Sequence, residues 1–347
     1  MENIKVTLPD GSSKQLPKGS TGADLALSIG PGLAKDAVAI EINNEQKDLS
    51  DLLEDNDSVS IITIKSDDGL EIMRHTIAAQ VLASAIKNLY PEAKLAIGPT
   101  IEQGFYYDFL PTKPVSIDDL PKIEKEMKKI LSTKSPIKKT YHSKSDAISL
   151  FDNQDETFKA EIISDSNQAE NFQIYTQEKS GFVDLCKGPH LPNFNLIGEF
   201  KLTKVSGAYW RGDSTKPMLT RIYGTAWRTD KELRTYLNML KEAEKRDHRK
   251  IGKEMKIFTF DDEVGAGLPL WLPNGSVIIE ELENLAKETE DKAGYDRVRT
   301  PHITKGSLYE KSGHLSHYRE SMFPAMDIDG NQYYLKPINC TQKKKIY

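Results

Sequence analysis

An acid, a thiol and an imidazole lie within seven residues of one another, at Asp184, Cys186 and His190. A Gly-Pro pair between the last two breaks any helix, so this stretch is predicted to form a turn. A turn can present Cys186 and His190 to one cavity, where thiolate and imidazole groups both ligate zinc. Zinc normally needs a third or fourth protein ligand, and His75 is the candidate for it. The ordinary alternative is that Cys186 is a small buried apolar residue.

The segment that holds His75 has apolar residues at helical spacing, so we predict a helix from Met73 to Leu89 with His75 in its first turn. On a helix, the residue four positions later shares a face with His75. A second histidine there would complete a pair of metal ligands or acid–base groups. That position is occupied by Ala79.

Several further motifs carry a resemblance to a known family. In chain order they are KLAIGPTIEQGFYYD ending at Asp108, DLCKGPH ending at His190, GAYWRGD ending at Asp213, and RIYGTAW ending at Trp227. With the His75 helix, they closely resemble the editing domain of bacterial threonyl-tRNA synthetases, and the similarity covers essentially the whole chain. The catalytic residues that this resemblance implies are His75, Lys159, Asp184, Cys186 and His190, with Tyr107 as a substrate-binding residue.

The resemblance implies hydrolysis of tRNA that has been mischarged with serine. Serine lacks only one methyl of threonine, which is worth about 1 to 3 kcal/mol of discrimination, so a second pocket must remove the error. The two histidines would position water and bind the terminal ribose, Asp184 would recognise the seryl amino group or orient His190, and Lys159 would stabilise developing charge. Tyr107 would help to exclude the extra methyl, or would be a packed ring. Since the family has a histidine where this chain has Ala79, we predict a weak or inactive editing site.

The resemblance also implies a second activity, the ATP-dependent attachment of threonine to its tRNA. A helix from Gly275 to Glu290 and a strand from Tyr295 to Pro301 are predicted, in an order similar to motif 1 of class II synthetases. That motif implies a homodimer with Pro301 at the interface. Cys340 resembles the family's zinc-binding cysteine, so Zn²⁺, ATP and Mg²⁺ are the implied cofactors. The partner histidines and the ATP-binding motifs 2 and 3 are absent from a chain that stops at Tyr347, so we expect a truncated form that does not aminoacylate alone.

Four domains are predicted along the chain, which gives a multidomain α+β fold. Residues 1–64 alternate apolar and polar positions around one helix, a ubiquitin-like β-grasp pattern that resembles the N-terminal domain of these synthetases. Residues 65–228 are the α+β editing domain. Residues 229–254 are a linker helix that opens with a capping box, and residues 255–347 are the first part of a class II catalytic domain with an antiparallel sheet.

The amino-acid composition limits both the compartment in which the protein is expected and the kinds of partner that it is expected to bind. No run of 18 apolar residues exists, the N-terminus is not a signal peptide, and two distant cysteines give no disulfide framework, so a cytoplasmic protein without membrane contact is predicted. The net charge of −5 argues against a uniformly phosphate-binding surface. A basic run from Arg221 to Lys256, with eleven Lys or Arg against six Asp or Glu, is either a tRNA contact or a solvated helix face.

Three functions are compatible with the sequence. The first is threonine–tRNA ligase with editing of seryl-tRNA, whose partners are threonine tRNA, threonine and ATP. The second is a free-standing hydrolase that edits mischarged tRNA in trans, and the third is a degenerate tRNA-binding relative. The motif 1 pattern and Cys340 favour the first, because a dedicated editing protein gains nothing from part of a synthetic domain, and Ala79 counts against the second.

Overall fold

Short antiparallel strands alternate with amphipathic helices in the computed structural model, which describes residues 2–346. The chain divides into two units, Met1–Ala243 and Glu244–Tyr347. The mixture of helices with several antiparallel sheets confirms the predicted α+β fold class. The four predicted domains are a finer division than these two units and stay a prediction, and their outer limits at residues 1 and 347 lie outside the described residues. Between residues 2 and 346, no helix has the length and apolar character to cross a membrane.

Residues 3–63, the N-terminal module, bury a small apolar core between two sheets and a helix. A hairpin closes over the Pro-Asp-Gly turn, and Ala37–Ile42 is the central strand of a three-stranded sheet. Alternate hairpin residues, Ile4 and Val6, are buried in one cluster with Leu25 of the first helix. The strands are Asn3–Thr7, Ser13–Pro17, Ala37–Ile42, Glu45–Asp48 and Val59–Thr63, and the helices are Gly22–Ile29 and Pro31–Asp36.

Residues 67–227, the middle module, are built around one helical rod that packs against a five-stranded antiparallel sheet. Every residue from 76 to 86 of the rod is buried, which is the pattern of a central core helix rather than a surface helix. Its three consecutive segments are the α-helix Asp67–Thr76, the π-helix Ile77–Leu82 and the α-helix Ala83–Leu89. The strands of this sheet are Lys94–Leu95, Thr100–Ile101, Gly104–Leu110, Glu199–Tyr209 and Met218–Trp227.

A second, three-stranded sheet of the middle module carries the loop with Cys186. Phe172–Gln177 is its central strand, between Ile137–His142 and Val183–Leu185. After Leu185 the chain has no regular structure as far as residue 191, as the Gly-Pro pair predicts. The α-helices of this module outside the rod are Leu120–Ser132, Lys144–Asn153 and Thr157–Asp165, and the first of them buries Ile123, Met127 and Ile130 on one face.

The rod begins earlier than predicted, so His75 does not lie in its first turn. Ser66 is the N-cap, because its side chain accepts a hydrogen bond from the Gly69 N–H. Asp67 and Asp68 follow it and suit the positive end of the helix dipole. His75 therefore lies near the C-terminal end of the first α-helical segment.

The predicted linker helix is two helices, Asp230–Lys245 and His248–Glu254, rather than one. Its predicted capping box is present, because Thr229 and Glu232 exchange hydrogen bonds between side chain and backbone. The break comes where Asp247 accepts a hydrogen bond from the Arg249 N–H and so caps a new helix.

In the second unit, the predicted helix is confirmed as Pro273–Lys292, whereas the strand predicted for residues 295–301 is wrong. A strand exists through hydrogen bonds to a neighbouring strand, and within residues 2–346 none pairs with this segment. The strands of this unit are Phe258–Thr259, Leu270–Trp271, Ile303–Lys305, Met326–Ile328 and Asn331–Leu335, and its shorter helices are Gly306–Lys311, His314–His317 and Cys340–Lys343.

Candidate hydrolytic site

Three side chains from two distant parts of the sequence meet in the middle module. His75 comes from the buried rod, and Cys186 and His190 come from the irregular loop after Val183–Leu185. The His75 Nε2 atom lies 2.8 Å from the Cys186 Sγ atom, which is hydrogen-bond contact. The two imidazole rings are stacked with centroids 4.6 Å apart and planes within 6°. One ligating atom from each residue lies within 4.8 Å of the others.

Thr76 determines which nitrogen of His190 carries the proton. The Thr76 hydroxyl donates its hydrogen to the Ile72 carbonyl at 2.8 Å, so it can only accept from the His190 Nδ1 atom at 3.2 Å. We infer that Nδ1 is protonated and that Nε2 has a free lone pair. Nε2 is buried and has no hydrogen-bond partner within residues 2–346. A buried acceptor of this kind is suited to take a proton from a bound water.

Burial also affects the charge of His75. Removal from water lowers the pKa of His75 below its usual value, and the attraction of Asp184 opposes this only in part. The imidazole is therefore neutral at pH 7. Neutral His75 and the Cys186 thiol can share one proton across their contact.

A buried ion pair stands beside the imidazoles. The Lys159 Nζ atom lies 2.6 Å from Asp184 Oδ1, and both side chains are almost fully buried. Burial raises the pKa of Asp184, while the Lys159 ammonium opposes that rise. Tyr107 donates a hydrogen bond to Asp184 Oδ2 at 3.3 Å, and burial keeps its pKa well above the usual value, so the phenol stays a donor.

A cavity of about 450 Å³ opens onto these groups. Its walls include four of the predicted residues, His75, Lys159, Asp184 and Cys186, and also Ala79. His190 is not a wall residue and lies against the wall residue His75. Its size is within the usual range of small-molecule sites. It can hold the aminoacyl end of a nucleotide but not the body of a nucleic acid.

Tyr107 does not line this cavity, in contrast to the substrate contact that the resemblance implied. Its ring is fully buried on the strand Gly104–Leu110 and lies against Gly98, where an added Cβ would collide with it. The hydroxyl reaches Asp184 instead. Tyr107 therefore positions the Asp184 carboxylate without lining the cavity itself.

Ala79 lies on the cavity wall, within the π-helical segment Ile77–Leu82. Hydrogen bonds in a π-helix join residues five apart, so its side chains are not at the regular α-helical offset from His75, and such segments are frequent at functional sites. Both His75 and Ala79 nevertheless face the cavity. A histidine at position 79 would therefore enter the cavity that His75 and Cys186 also line.

Three residues that contact His190 and fix its position were not predicted from the sequence. Thr76 follows His75 directly, yet nothing in its type indicates that it fixes an imidazole. Tyr175 packs edge-on against the His190 ring at 4.4 Å, and Asp48 of the N-terminal module accepts a hydrogen bond from the His190 backbone. No sequence signal connects Asp48 with a residue 142 positions away.

His75, Cys186 and His190 offer atoms of the kinds that bind zinc, but the distance between two of these atoms does not match a bound zinc ion. Two imidazoles and a thiol leave one coordination position open, as in catalytic zinc sites. Bond lengths to tetrahedral zinc would hold a sulfur and a nitrogen about 3.6 Å apart. The 2.8 Å between Cys186 Sγ and His75 Nε2 corresponds to a direct hydrogen bond.

The two predicted residues of the second unit are not part of this cluster. Cys340 is exposed at the start of the helix Cys340–Lys343. In the described part of the chain, the one group of three or more close metal-ligating residues is that of the cavity, and Cys340 lies outside it. Pro301 is exposed in an irregular segment. Residues 2–346 thus do not by themselves provide a zinc site at Cys340.

Two family descriptions match parts of the chain. Residues 4–63 match the TGS domain, and residues 173–223 match the second additional domain of threonyl- and alanyl-tRNA synthetases. These matches fall in the N-terminal and middle modules.

Curated relatives match along the whole chain. A "Threonine--tRNA ligase" of Citrifermentans bemidjiense is 47% identical over 347 residues, which are 100% of this chain and 54% of that protein. Those of Pelobacter propionicus and Staphylococcus saprophyticus are both 46% identical, with 100% of this chain and 54% and 53% of those proteins covered. The chain thus spans about half the length of these relatives. The RNA-binding domain structure of a Cryptosporidium parvum threonyl-tRNA synthetase matches 29% of this chain and 25% of its own, at 33% identity and a TM-score of 0.28, too low to bear on the fold.

Proposed function

Because this chain is related over its whole length to the threonine–tRNA ligases and contains their TGS and second additional domains, we propose that it acts in the charging of threonine tRNA. Within it, the middle module hydrolyses tRNA mischarged with serine. The observation that carries this proposal is the cluster of His75, Cys186 and His190 beside a cavity of suitable size, with His75 and Cys186 in the cavity wall.

The reaction is hydrolysis of the ester between the amino acid and the terminal ribose. His190 Nε2 accepts a proton as water attacks the ester carbonyl, because its lone pair is free and buried. The carbonyl oxygen gains negative charge, which the nearby Lys159 ammonium stabilises. The ribose oxygen then leaves with the electrons of the broken bond and takes a proton. The products are serine and a tRNA with a free terminal hydroxyl.

Asp184 is the residue of the site that can bind the amino group of the ester. Its Oδ1 atom is occupied by Lys159 and by the Leu185 N–H. Its Oδ2 atom receives a single long bond from Tyr107 and keeps an acceptor position. Lys159 already balances the negative charge of the Asp184 carboxylate through Oδ1. An ammonium group of the substrate would form an additional charge-assisted hydrogen bond to Oδ2.

Ala79 sets the expected rate, because the missing imidazole is a missing acid–base or water-binding group. Replacing it, as Ala79→His, should raise seryl-tRNA deacylation by about 100- to 10,000-fold. Ala79→Gln is the matched control, since it adds a polar side chain without an imidazole. Deacylation by the unaltered chain at the rate of Ala79→His would refute the role given to Ala79. No deacylation by either protein would refute the hydrolytic function.

A metal-bound site is the second candidate, favoured by the nature of the three donor groups. Zinc would be held by His75, Cys186 and His190 and would supply an activated water. We expect the purified chain to contain substoichiometric zinc, given the short contact of Cys186 with His75. Metal analysis of the chain and of Cys186→Ser decides the point. A content of one zinc per chain that is lost in Cys186→Ser would show that the site binds zinc and would contradict the metal-free mechanism.

The ligase activity of the whole protein is also part of the proposal. It would use ATP with Mg²⁺, threonine and threonine tRNA, and Cys340 would supply one ligand to a zinc in the threonine pocket. The identity to curated ligases along all of the chain supports this. Cytoplasm is the proposed location, in agreement with two free cysteines.

A further inference from the structure

A carboxylate of the N-terminal module reaches into the hydrolytic site. Asp48 ends the strand Glu45–Asp48 and is 7% exposed. Its Oδ1 atom accepts a hydrogen bond from the His190 N–H at 2.9 Å, and its Oδ2 atom accepts one from the Tyr175 hydroxyl at 2.7 Å. Both partners belong to the middle module. One side chain therefore joins the first module to the loop that carries the proposed general base.

The two contacts of Asp48 act on the same imidazole. The hydrogen bond from the His190 N–H to Asp48 fixes the backbone position of His190. This residue lies in an irregular loop, so hydrogen bonds of a strand or helix do not fix it. The bond to Tyr175 fixes the aromatic ring whose edge meets the His190 ring at 4.4 Å and 82°. His75 stacks on the same imidazole, which therefore contacts two rings.

The remaining charge of Asp48 is balanced within the same contact. Lys139 Nζ lies 2.8 Å from Asp48 Oδ2 and also contacts Asp51. Burial lowers the pKa of Lys139, but the two carboxylates outweigh burial and raise the pKa overall, so the ammonium is charged at neutral pH. Asp51 also pairs with Lys139, and it accepts hydrogen bonds from the Tyr141 hydroxyl and from the Asp48 N–H. The ion pair alone would join the modules, so the bonds to His190 and Tyr175 are additional.

We propose that Asp48 is a positioning residue of the hydrolytic site, through which the N-terminal module holds His190 in the orientation that its Nε2 atom needs. This deepens the proposed function and rests on it. The N-terminal module is then a structural part of the hydrolytic site and not only an appended domain. The residue acts through His190 and Tyr175 and does not touch the substrate cavity.

The test uses the 347-residue chain with the Ala79→His substitution, so that deacylation is measurable. Asp48→Ala should lower kcat for seryl-tRNA by about 100-fold with little change in KM, because a misplaced catalytic group impairs the chemical step rather than binding. Asp48→Asn keeps one oxygen acceptor and should recover part of the loss. Asp51→Asn is the matched control: it weakens the same Lys139 pair, keeps an amide oxygen that can accept from the Asp48 N–H, and leaves both acceptors of Asp48 in place.

A spectroscopic measurement separates positioning from loss of fold and from loss of function. In chain labelled with ¹⁵N-histidine, the His190 ring signals should show one tautomer, protonated at Nδ1, which Asp48→Ala converts to a mixture while Asp51→Asn does not. This readout does not depend on catalysis, so it remains valid if no deacylation is found and the proposed function fails. An unchanged kcat and an unchanged tautomer in a folded Asp48→Ala chain would overturn the proposal. Equal effects of Asp51→Asn would show that general module packing, not Asp48, is responsible.

Discussion

The site is composed of buried polar side chains that tolerate burial because each has a specific partner. Lys159 and Asp184 are 3% and 1% exposed, and either charge alone would be expensive in that environment. His190 has only its Nε2 atom without a partner, and that atom is the one that the proposed chemistry needs. At the scale of residues, stability and function therefore depend on the same contacts.

Removal of one member of the buried ion pair should be costly. Lys159→Met leaves Asp184 without a counter-charge and should lower the free energy of unfolding by about 3 to 5 kcal/mol. Urea unfolding of the chain measures the loss. The double variant Lys159→Met, Asp184→Leu removes both charges and should recover much of the loss, although not the activity. A double variant as unstable as the single variant would contradict this account.

Gly188 is required by its backbone conformation and by its neighbour. Its φ is +67°, and an added Cβ would collide with the Tyr175 hydroxyl. Gly181 has a similar φ of +71° with open space around it, so it is the matched control. Gly188→Ala should destabilise the chain more than Gly181→Ala by about 1 to 3 kcal/mol, the usual cost of overpacking. Equal melting temperatures of the two variants would show that the neighbour does not matter.

At the scale of elements, caps determine where helices begin, and they explain two differences from prediction. Ser66 starts the rod seven residues before Met73, and Asp247 starts a new helix where one continuous linker was expected. The first helix of the N-terminal module has a complete capping box, in which Thr21 and Asp24 bond each other's backbone N–H.

Thr21→Ala should cost about 1 kcal/mol of stability, the usual value for an N-cap. Ser28→Ala in the same helix, whose hydroxyl only donates to the Leu25 carbonyl, is the control. Hydrogen bonds from the backbone and hydroxyl of Thr21 hold the pKa of Asp24 below its usual value of 3.8. A depressed pKa stabilises the fold above pH 3.8, and this stabilisation is lost as the pH falls through the folded-state pKa. The difference between the two variants should therefore be constant near neutral pH and shrink in acid, as urea titrations at several pH values would show.

At the scale of the whole molecule, the second unit presents an apolar helix face. In Pro273–Lys292, Ile278, Leu282 and Leu285 follow helical spacing and are exposed, the last two at 60% and 61%. Exposed apolar stripes of this kind mark interaction surfaces. A second copy of the chain is the partner that the predicted homodimer requires.

Charge on that face should weaken self-association. Sedimentation velocity of the 347-residue chain should show a concentration-dependent dimer, and Leu282→Lys should shift it to monomer because the charge would be buried in the interface. Glu283→Lys changes a neighbouring position whose side chain faces Lys287, and it should leave the dimer intact. A chain that is monomeric at all concentrations would contradict dimerisation through this helix.

The sequence by itself determined the elements whose signals are local. Apolar periodicity located the core helix around His75 and the helix Pro273–Lys292, the Gly-Pro pair predicted the irregular loop of Cys186, and Thr229 with Glu232 predicted a cap, because each of these depends on neighbours along the chain. Motif resemblance also indicated that His75, Cys186 and His190 share a site. Only the tertiary structure decided how that site is held. Asp48 accepts hydrogen bonds from the His190 N–H and the Tyr175 hydroxyl, and Asp184 accepts one from Tyr107. These contacts join residues far apart in sequence, and they arise from packing that no local pattern encodes.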